Sequence, residues 1–234
     1  MTMIKPISKR IRINKHGQSF VELMLIVPIL ALMLAGVVEY GMLLNNYLKV
    51  LDGTREGARL GSQAPKSDLS SDLEKFFVLV ASKSLGTMTP INLNGNRGDD
   101  LIISVIYVDK YNTVQLRTPD ENGWSLCAHY SEIMTKYTTA MQTHLTTDQY
   151  TAFVNGWNAC TPKTSKITSG DVQLNMDSPD INTGIILVEA YYDYPQMLKL
   201  PIIEQIGDPI PVYTYSMMPM ASAMTTPVPP TPVP

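Results

Sequence analysis

One apolar stretch near the N-terminus constrains this chain more than any other feature. Its core, LMLIVPILALMLAGVV, runs from Leu23 to Val38 without a charged residue, and apolar residues continue to Leu44. A helix from Phe20 to Leu44 would be about 37 Å long, enough to cross about 30 Å of hydrocarbon with some tilt. The sequence therefore predicts a transmembrane helix at about residues 20–44.

The residues before this stretch indicate how it is oriented. Met1 to Gly17 contains five Lys or Arg side chains and no acid. Such a segment stays on the cytoplasmic side, so we expect a single-pass protein with its C-terminal part outside the membrane. A secretory signal would have a shorter apolar region and a correctly spaced small-residue cleavage site, which Ala31, Ala35 and Gly36 do not provide.

Glu22 is a carboxylate at the start of the apolar span. A charge is costly there and indicates a function with a specific partner. A cut after Gly17 would make Gln18 the new N-terminus and Glu22 the fifth mature residue, one helical turn from a free ammonium group. The alternative is an ordinary signal anchor in which Glu22 lies near the lipid headgroups, favoured by the helix dipole.

These features resemble the type III signal of the type IV pilin superfamily, and more closely the TadE-like minor pilins of the Tad (Flp) pilus. The resemblance is close over residues 15–62 and weak beyond them. The motifs that carry it are Gly17-Gln18-Ser19-Phe20-Val21-Glu22, Pro28, Gly36-Val37-Val38-Glu39-Tyr40-Gly41 and Thr54-Arg55-Glu56-Gly57-Ala58-Arg59.

The resemblance implies a processed and assembled subunit. Prepilin peptidase would remove residues 1–17 by cutting between Gly17 and Gln18. Gln18, Glu22 and Pro28 would then serve assembly, with the lipid bilayer, other pilin subunits and the inner-membrane assembly platform as partners. The competing hypothesis is a permanently anchored surface binding protein, which would not need Gly17.

The helix is predicted to continue beyond the membrane, from residue 18 to about residue 61, because apolar residues keep helical spacing and no proline intervenes. Gly53, Gly57 and Gly61 recur at every fourth position of it. A small-residue face lets another backbone approach closely. We expect packing on the domain's own sheet or on neighbouring pilin helices; glycines merely tolerated near a helix end are the alternative.

The remaining chain, residues 62–218, predicts an exported α+β domain. We expect an amphipathic helix at 67–85 that starts at Ser70-Ser71-Asp72 and stops at Gly86. Alternating apolar patterns predict a hairpin at 101–108 and 113–117, a strand at 184–194 and a last strand at 212–218. Pro201, Pro209 and Pro211 are expected to break the connection before that last strand. An antiparallel sheet of about four strands, packed on the second half of the long helix, follows from this pattern.

Residues 124–160 predict a helical insertion into the sheet domain, with helices at 130–145 and 147–157. Cys127 and Cys160 lie on the exported side, where disulfides persist. A bridge would staple the insertion at its base and contribute roughly 3–4 kcal/mol by the loop-entropy model. Two unpaired buried thiols are the alternative. The last segment, residues 219–234, alternates proline with small residues and predicts a disordered or polyproline tail.

The sequence offers little support for other function classes. The net charge is −3 with basic residues concentrated in the leader, so the exported part is acidic and lacks a nucleic-acid footprint. Asp99 and Asp100 are expected to be solvated loop carboxylates, and His129 and His144 isolated polar residues, so no metal site or cofactor is predicted. Without a catalytic constellation, we expect no enzyme.

Overall fold

The computed structural model describes residues 15–64, 72–108, 113–174, 183–199 and 207–220. It consists of a long N-terminal helix, a small antiparallel sheet and additional helices, which confirms the predicted α+β class. Most of the predicted leader (residues 1–14), the expected hairpin turn (109–112) and most of the proline-rich tail (221–234) lie outside the described residues.

Helix α1, Lys15–Ser62, contains 48 residues and runs through Pro28 without interruption. At 1.5 Å per residue it extends over about 72 Å. The range predicted from the spacing of apolar residues, 18–61, lies inside it. Residues 20–38 are apolar apart from Glu22, whereas the half from Glu39 onward alternates between buried and exposed positions. The two halves therefore meet different surroundings.

Helix α2, Leu73–Thr87, begins where the capping signal placed it. The Asp72 carboxylate accepts a hydrogen bond of 3.0 Å from the Lys75 N–H, which satisfies a donor of the first turn. The helix does not stop at Gly86, as the sequence suggested, but continues past it. Gly86 instead permits a close approach, because a Cβ there would collide with the main-chain oxygen of His144.

The described residues contain five strands in one antiparallel sheet: β1, Asp100–Val108; β2, Val114–Thr118; β3, Trp124–Ser125; β4, Thr183–Tyr194; and β5, Ile210–Pro219. Their order is β2-β1-β4-β5, with the short β3 also paired to β1. The predicted β1–β2 hairpin and the two late strands are confirmed. Strand β3 was not predicted, because its two residues are too few to show an alternating pattern.

Strand β5 is longer than predicted at both ends. Pro211 was expected in the preceding connection and Pro219 in the tail, yet both are part of β5. A proline is tolerated because β5 is an edge strand, where an outward-facing position needs no N–H. The Met220 N–H then donates to the Gly184 oxygen at 2.8 Å, and its side chain is buried. Any tail therefore begins after Met220.

The inner face of the sheet forms the main core with α1 and α2. The predicted alternation of β4 is confirmed, since every second residue belongs to this core. The β4 members are Ile186, Val188, Ala190, Tyr192 and Tyr194, joined by Val50 and Ala58 of α1 and Phe77 and Val80 of α2. On the outer face, Ile167 and Val172 cover Ile106 and Leu187.

The insertion is helical, as predicted, but its helices are shorter. They are α3, Tyr130–Lys136; α4, Thr138–Gln142; and α5, Thr147–Gly156, followed later by α6, Ser169–Leu174. The prediction of a single helix at 130–145 is wrong, because the helix is interrupted at Tyr137. The Tyr137 hydroxyl donates to Asp72 at 3.1 Å. Thr146 caps α5 through reciprocal hydrogen bonds with Gln149.

A disulfide joins Cys127 and Cys160 at the base of this insertion. Asp100 lies beside it and accepts hydrogen bonds from the N–H groups of Cys127, at 3.2 Å, and Lys163, at 2.8 Å. The two ends of the insertion are thus held together twice, once covalently and once through one carboxylate.

The expectation that Asp99 and Asp100 are solvated is wrong, because both side chains are fully buried. Asp99 accepts the N–H groups of Asn94 and Asp193, each at 2.7 Å, and pairs with Arg97. Burial raises the pKa of both carboxyls, against the opposing effect of these hydrogen bonds. Asp99 thus organises the loop before β1, and Asp100 holds the two ends of the insertion, so neither faces solvent.

Candidate functional site

The apolar half of α1 projects from the folded domain. Every side chain from Phe20 to Leu34 is exposed, and large residues such as Leu25 and Val37 are 68 % and 69 % exposed. A continuous apolar surface of this size marks an interface or a membrane contact. Among the described residues, only this helix is long and apolar enough to cross a membrane.

Glu39 connects the helix to the folded domain at the end of the exposed apolar stretch. Its side chain is only 3 % exposed. Its carboxylate accepts hydrogen bonds from the Tyr194 hydroxyl at 2.9 Å, the Met197 N–H at 2.9 Å and the Leu198 N–H at 2.8 Å. Residues 195–199, which follow β4 and supply the two main-chain donors, are called the junction loop below.

This contact shortens the length of helix that is free to cross a bilayer. The exposed apolar part, from Phe20 to Val38, is about 28 Å long at 1.5 Å per residue, close to the roughly 30 Å hydrocarbon thickness. Leu43, inside the span predicted to end at Leu44, packs against the core. Further on, the Asn46 side-chain amide donates to the Tyr192 hydroxyl at 3.5 Å.

The glycine stripe lies on the opposite, domain-bound half of α1. A Cβ at Gly57 would collide with the Ser84 hydroxyl, and one at Gly53 would lie 2.9 Å from the Ser84 main-chain oxygen. A Cβ at Gly61 would meet Ile186 of β4. The stripe thus packs mainly on α2 of the same chain, a partner that the sequence analysis did not name, and at one end on the sheet.

The other residues singled out for processing and assembly lie along the projecting half. Gly17 and Gln18 are in the first turns of α1, Glu22 follows one turn later, and Pro28 lies within the helix. The Glu22 side chain is exposed. One continuous helix therefore presents the expected cleavage position and Glu22 next to the apolar surface.

His129 and His144 have separate surroundings. The His129 ring stacks on Trp124 with 5.0 Å between centroids, and its Nδ1 lies 2.8 Å from the Ser125 oxygen. The main-chain N–H of His144 donates to the Ser82 hydroxyl. Burial lowers the pKa of the His144 imidazole. In the ranges that the structure describes, no three His, Cys, Asp or Glu side chains group as metal ligands.

Sequence reasoning did not identify the three hydrogen bonds that Glu39 accepts from Tyr194 and the junction loop. Glu39 was visible as a second acid in the apolar region and as part of a motif, but its donors lie more than 150 residues away. One feature of the junction loop was visible in the sequence: the apolar pair Met197 and Leu198 comes two residues after Pro195, in an expected connection. Apolar residues in a connecting segment often mark a contact surface.

The family model described as TadE-like protein matches residues 17–59, which lie within α1 and include none of the sheet. No curated protein and no solved structure matches the chain. The resemblance drawn from the sequence motifs is confirmed over these residues. The N-terminal helix is TadE-like, which is consistent with a TadE-like pilin of a Tad pilus system.

Proposed function

We propose that this protein is a pilin-like structural subunit, processed by a prepilin peptidase and assembled through α1 into a Tad/Flp-type IV pilus or its initiating or tip complex. The observation that carries the proposal is the projecting apolar half of α1, which lies within the TadE-like residues 17–59. Such a helix needs either a bilayer or other apolar helices around it.

Both surroundings have a place in the proposed mechanism. Before assembly, residues 20–38 span the inner membrane, with the basic segment ahead of Gly17 in the cytoplasm and the α+β domain outside. Assembly then moves the same surface from lipid into a bundle of neighbouring α1 helices.

In this mechanism, Glu22 favours the move of α1 from the lipid into the helix bundle. After removal of residues 1–17, Gln18 carries a free ammonium group one helical turn from Glu22. A carboxylate in an apolar bundle is stabilised only if an opposite charge is close and well placed. Pairing Glu22 with the Gln18 ammonium group of a neighbouring subunit meets this need and also sets the axial register of the two helices.

Intact mass measurement with N-terminal sequencing of the protein from its native membrane tests the proposal. We expect a chain that begins at Gln18 and has lost the mass of residues 1–17. A Gly17→Leu variant is the matched control, because a bulky residue at the cut should leave the leader attached. A wild-type chain that keeps its leader, even where the peptidase is active, would favour a permanently anchored binding protein instead.

A further inference from the structure

The junction loop presents two apolar side chains to the outside. Met197 and Leu198 are 65 % and 43 % exposed. The backbone of this loop is held by Glu39. The N–H groups of both residues donate to the Glu39 carboxylate at 2.9 and 2.8 Å. The loop is therefore fixed with its apolar side chains facing outward.

Glu39 also sets the height of this loop along α1. It follows directly after the exposed apolar stretch that ends at Val38, whose length matches the hydrocarbon thickness. Groups within hydrogen-bond distance of its carboxylate lie at nearly the same level. If residues 20–38 span the bilayer, Met197 and Leu198 lie where hydrocarbon gives way to headgroups.

Two neighbouring side chains fit the same boundary. Tyr40, one residue beyond Glu39, is 66 % exposed, and tyrosine is enriched at membrane–water interfaces. Lys199 is exposed and has a φ of 44°, so the chain turns sharply after the apolar pair. A lysine in this position can reach a lipid phosphate while its stem stays among apolar groups.

We propose that the junction loop is a second membrane contact, in which Met197 and Leu198 enter the headgroup–acyl boundary of the leaflet through which α1 leaves the bilayer. Lys199 pairs with lipid phosphate, and Glu39 is the positioning residue. The inference rests on the proposed function, since it requires α1 to span the membrane. Its occupant is lipid, because the loop surface continues the apolar surface of α1 and adds a cation at headgroup height.

The contact has a consequence for the subunit before assembly. A domain held by one helix alone can tilt and rotate above the membrane, whereas a second contact beside the helix restricts both motions. Transfer into a filament then requires the loop to leave the lipid together with α1. The loop thereby belongs to the membrane-bound state of the subunit.

Photo-crosslinking of the full-length chain in phosphatidylethanolamine–phosphatidylglycerol vesicles tests this inference. A benzophenone amino acid is placed at Leu198, at Leu30 in the apolar helix, or at Leu116. Leu116 is 46 % exposed but pairs with Tyr107, at the end of the sheet remote from Tyr194. We expect lipid adducts, detected by mass, at Leu30 and Leu198 and only background at Leu116.

The three positions separate the two ways of failing. Lipid adducts at Leu30 without adducts at Leu198 would overturn the loop contact and leave the membrane-spanning helix intact. No adduct at Leu30 would remove the membrane step of the proposed function itself. Crosslinks from Leu198 to a second copy of the chain would show a subunit interface and would also overturn the inference.

A second variant tests the role of Glu39. In Glu39→Ala the two loop N–H groups lose their acceptor, so adducts at Leu198 should fall several-fold while those at Leu30 stay unchanged. Fluorescence of the buried Trp124 and Trp157 shows whether the domain of this variant is still folded. Unchanged adducts at Leu198 in a folded Glu39→Ala protein would remove Glu39 from the positioning role.

Discussion

Tyr194 donates a hydrogen bond of 2.9 Å to Glu39, and the two residues are 155 positions apart in sequence. Tyr194 is the last residue of β4, and Glu39 lies where the exposed apolar part of α1 ends. This hydrogen bond, together with the two from the junction loop, attaches the end of the sheet to the helix. The boundary between the projecting helix and the folded domain therefore lies at Glu39.

Replacing Glu39 should loosen the domain. Glu39→Ala removes the acceptor of three hydrogen bonds, one of them from the buried Tyr194 hydroxyl, so we expect the free energy of unfolding to fall by about 2–4 kcal/mol. Urea unfolding of the full chain in detergent, followed by tryptophan fluorescence, measures the loss. Glu39→Gln is the control: it keeps one acceptor oxygen and should cost less. Equal stability of wild type and Glu39→Ala would show that the hydrogen bonds contribute nothing.

The glycine stripe gives a sharper comparison within one helix. Gly57→Ala forces a methyl group against the Ser84 hydroxyl, and overpacking of this kind typically costs about 1–3 kcal/mol. Gly41→Ala is the matched control, because a Cβ there meets nothing within 4 Å. It should be neutral or stabilise α1 by about 0.5–1 kcal/mol, since alanine has the higher helix propensity. Urea unfolding measures the first change, and helix content on heating measures the second.

A compensating substitution identifies the contact. The atom nearest to the new methyl group is the Ser84 oxygen, so Ser84→Ala should recover part of the stability lost in Gly57→Ala. The double variant should therefore be more stable than the sum of the single changes predicts. Strict additivity would mean that α1 and α2 do not meet at this pair.

Glu22→Ala separates membrane insertion from assembly. The variant keeps the basic leader, Gly17 and the apolar span, so it should be inserted and cleaved like the wild type. Without the carboxylate, the Gln18 ammonium group of a neighbour would be buried unpaired, so incorporation into filaments should fall strongly. The measurement is the ratio of the subunit in sheared filaments to that in the membrane. Glu22→Asp, which keeps the charge, should retain part of the incorporation, whereas normal incorporation of Glu22→Ala would refute the pairing.

The disulfide should stabilise the insertion measurably. A cross-link with a sequence separation of 33 residues contributes about 3.7 kcal/mol in the loop-entropy model. Cys127→Ser combined with Cys160→Ser should lower the free energy of unfolding by up to this amount. Asp100 still joins the two ends through Cys127 and Lys163 N–H groups, so the folded insertion should persist in native conditions. Calorimetry with and without reductant provides an independent measurement.

Alkaline pH should destabilise the domain through the partly buried Tyr213. The Tyr213 hydroxyl donates to Glu189 at 2.6 Å, and burial first, then this carboxylate, raise the pKa of Tyr213. A raised pKa means that the folded state holds the proton more tightly than the unfolded chain does. The resulting stability is present below about pH 10, the usual tyrosine value, and is lost as the pH rises above it.

In Tyr213→Phe, the free energy of unfolding should fall less steeply with rising pH. The slope should change by up to about 1.4 kcal/mol per pH unit, which corresponds to one proton. At neutral pH the same variant should be somewhat less stable, because the hydrogen bond to Glu189 is lost. Urea unfolding at a series of alkaline pH values measures both effects, and Tyr215→Phe controls for loss of a neighbouring hydroxyl. An unchanged slope in Tyr213→Phe would exclude the Tyr213–Glu189 pair as its source.

The elements with a strong local pattern could be predicted from the sequence. The apolar run predicted α1 because no other structure satisfies the backbone of so many apolar residues in lipid. Alternation predicted β4, whose even-numbered residues from Ile186 to Tyr194 form the core. The disulfide was also favoured correctly, because a chain with two cysteines can pair them in only one way.

The parts that depend on distant contacts could not be predicted. Asp99 and Asp100 look like loop carboxylates, and only the folded chain brings N–H groups from Asn94, Lys163 and Asp193 to them. The hydrogen bond between Tyr194 and Glu39 was not predicted for the same reason, since composition alone does not show that β4 reaches the helix. The partner of Gly57 likewise lies on a separate helix.

The domain holds α1 all the way from Glu39 to Gly61, a distance of about 33 Å along the helix axis at 1.5 Å per residue. The contacts include the Glu39 hydrogen bonds at one end and Ile186 against Gly61 at the other. A pull on the projecting half, directed along the helix, would load these contacts in parallel and in shear, instead of peeling them apart one after another. Tension carried by α1 would therefore reach the sheet without first passing through a flexible linker.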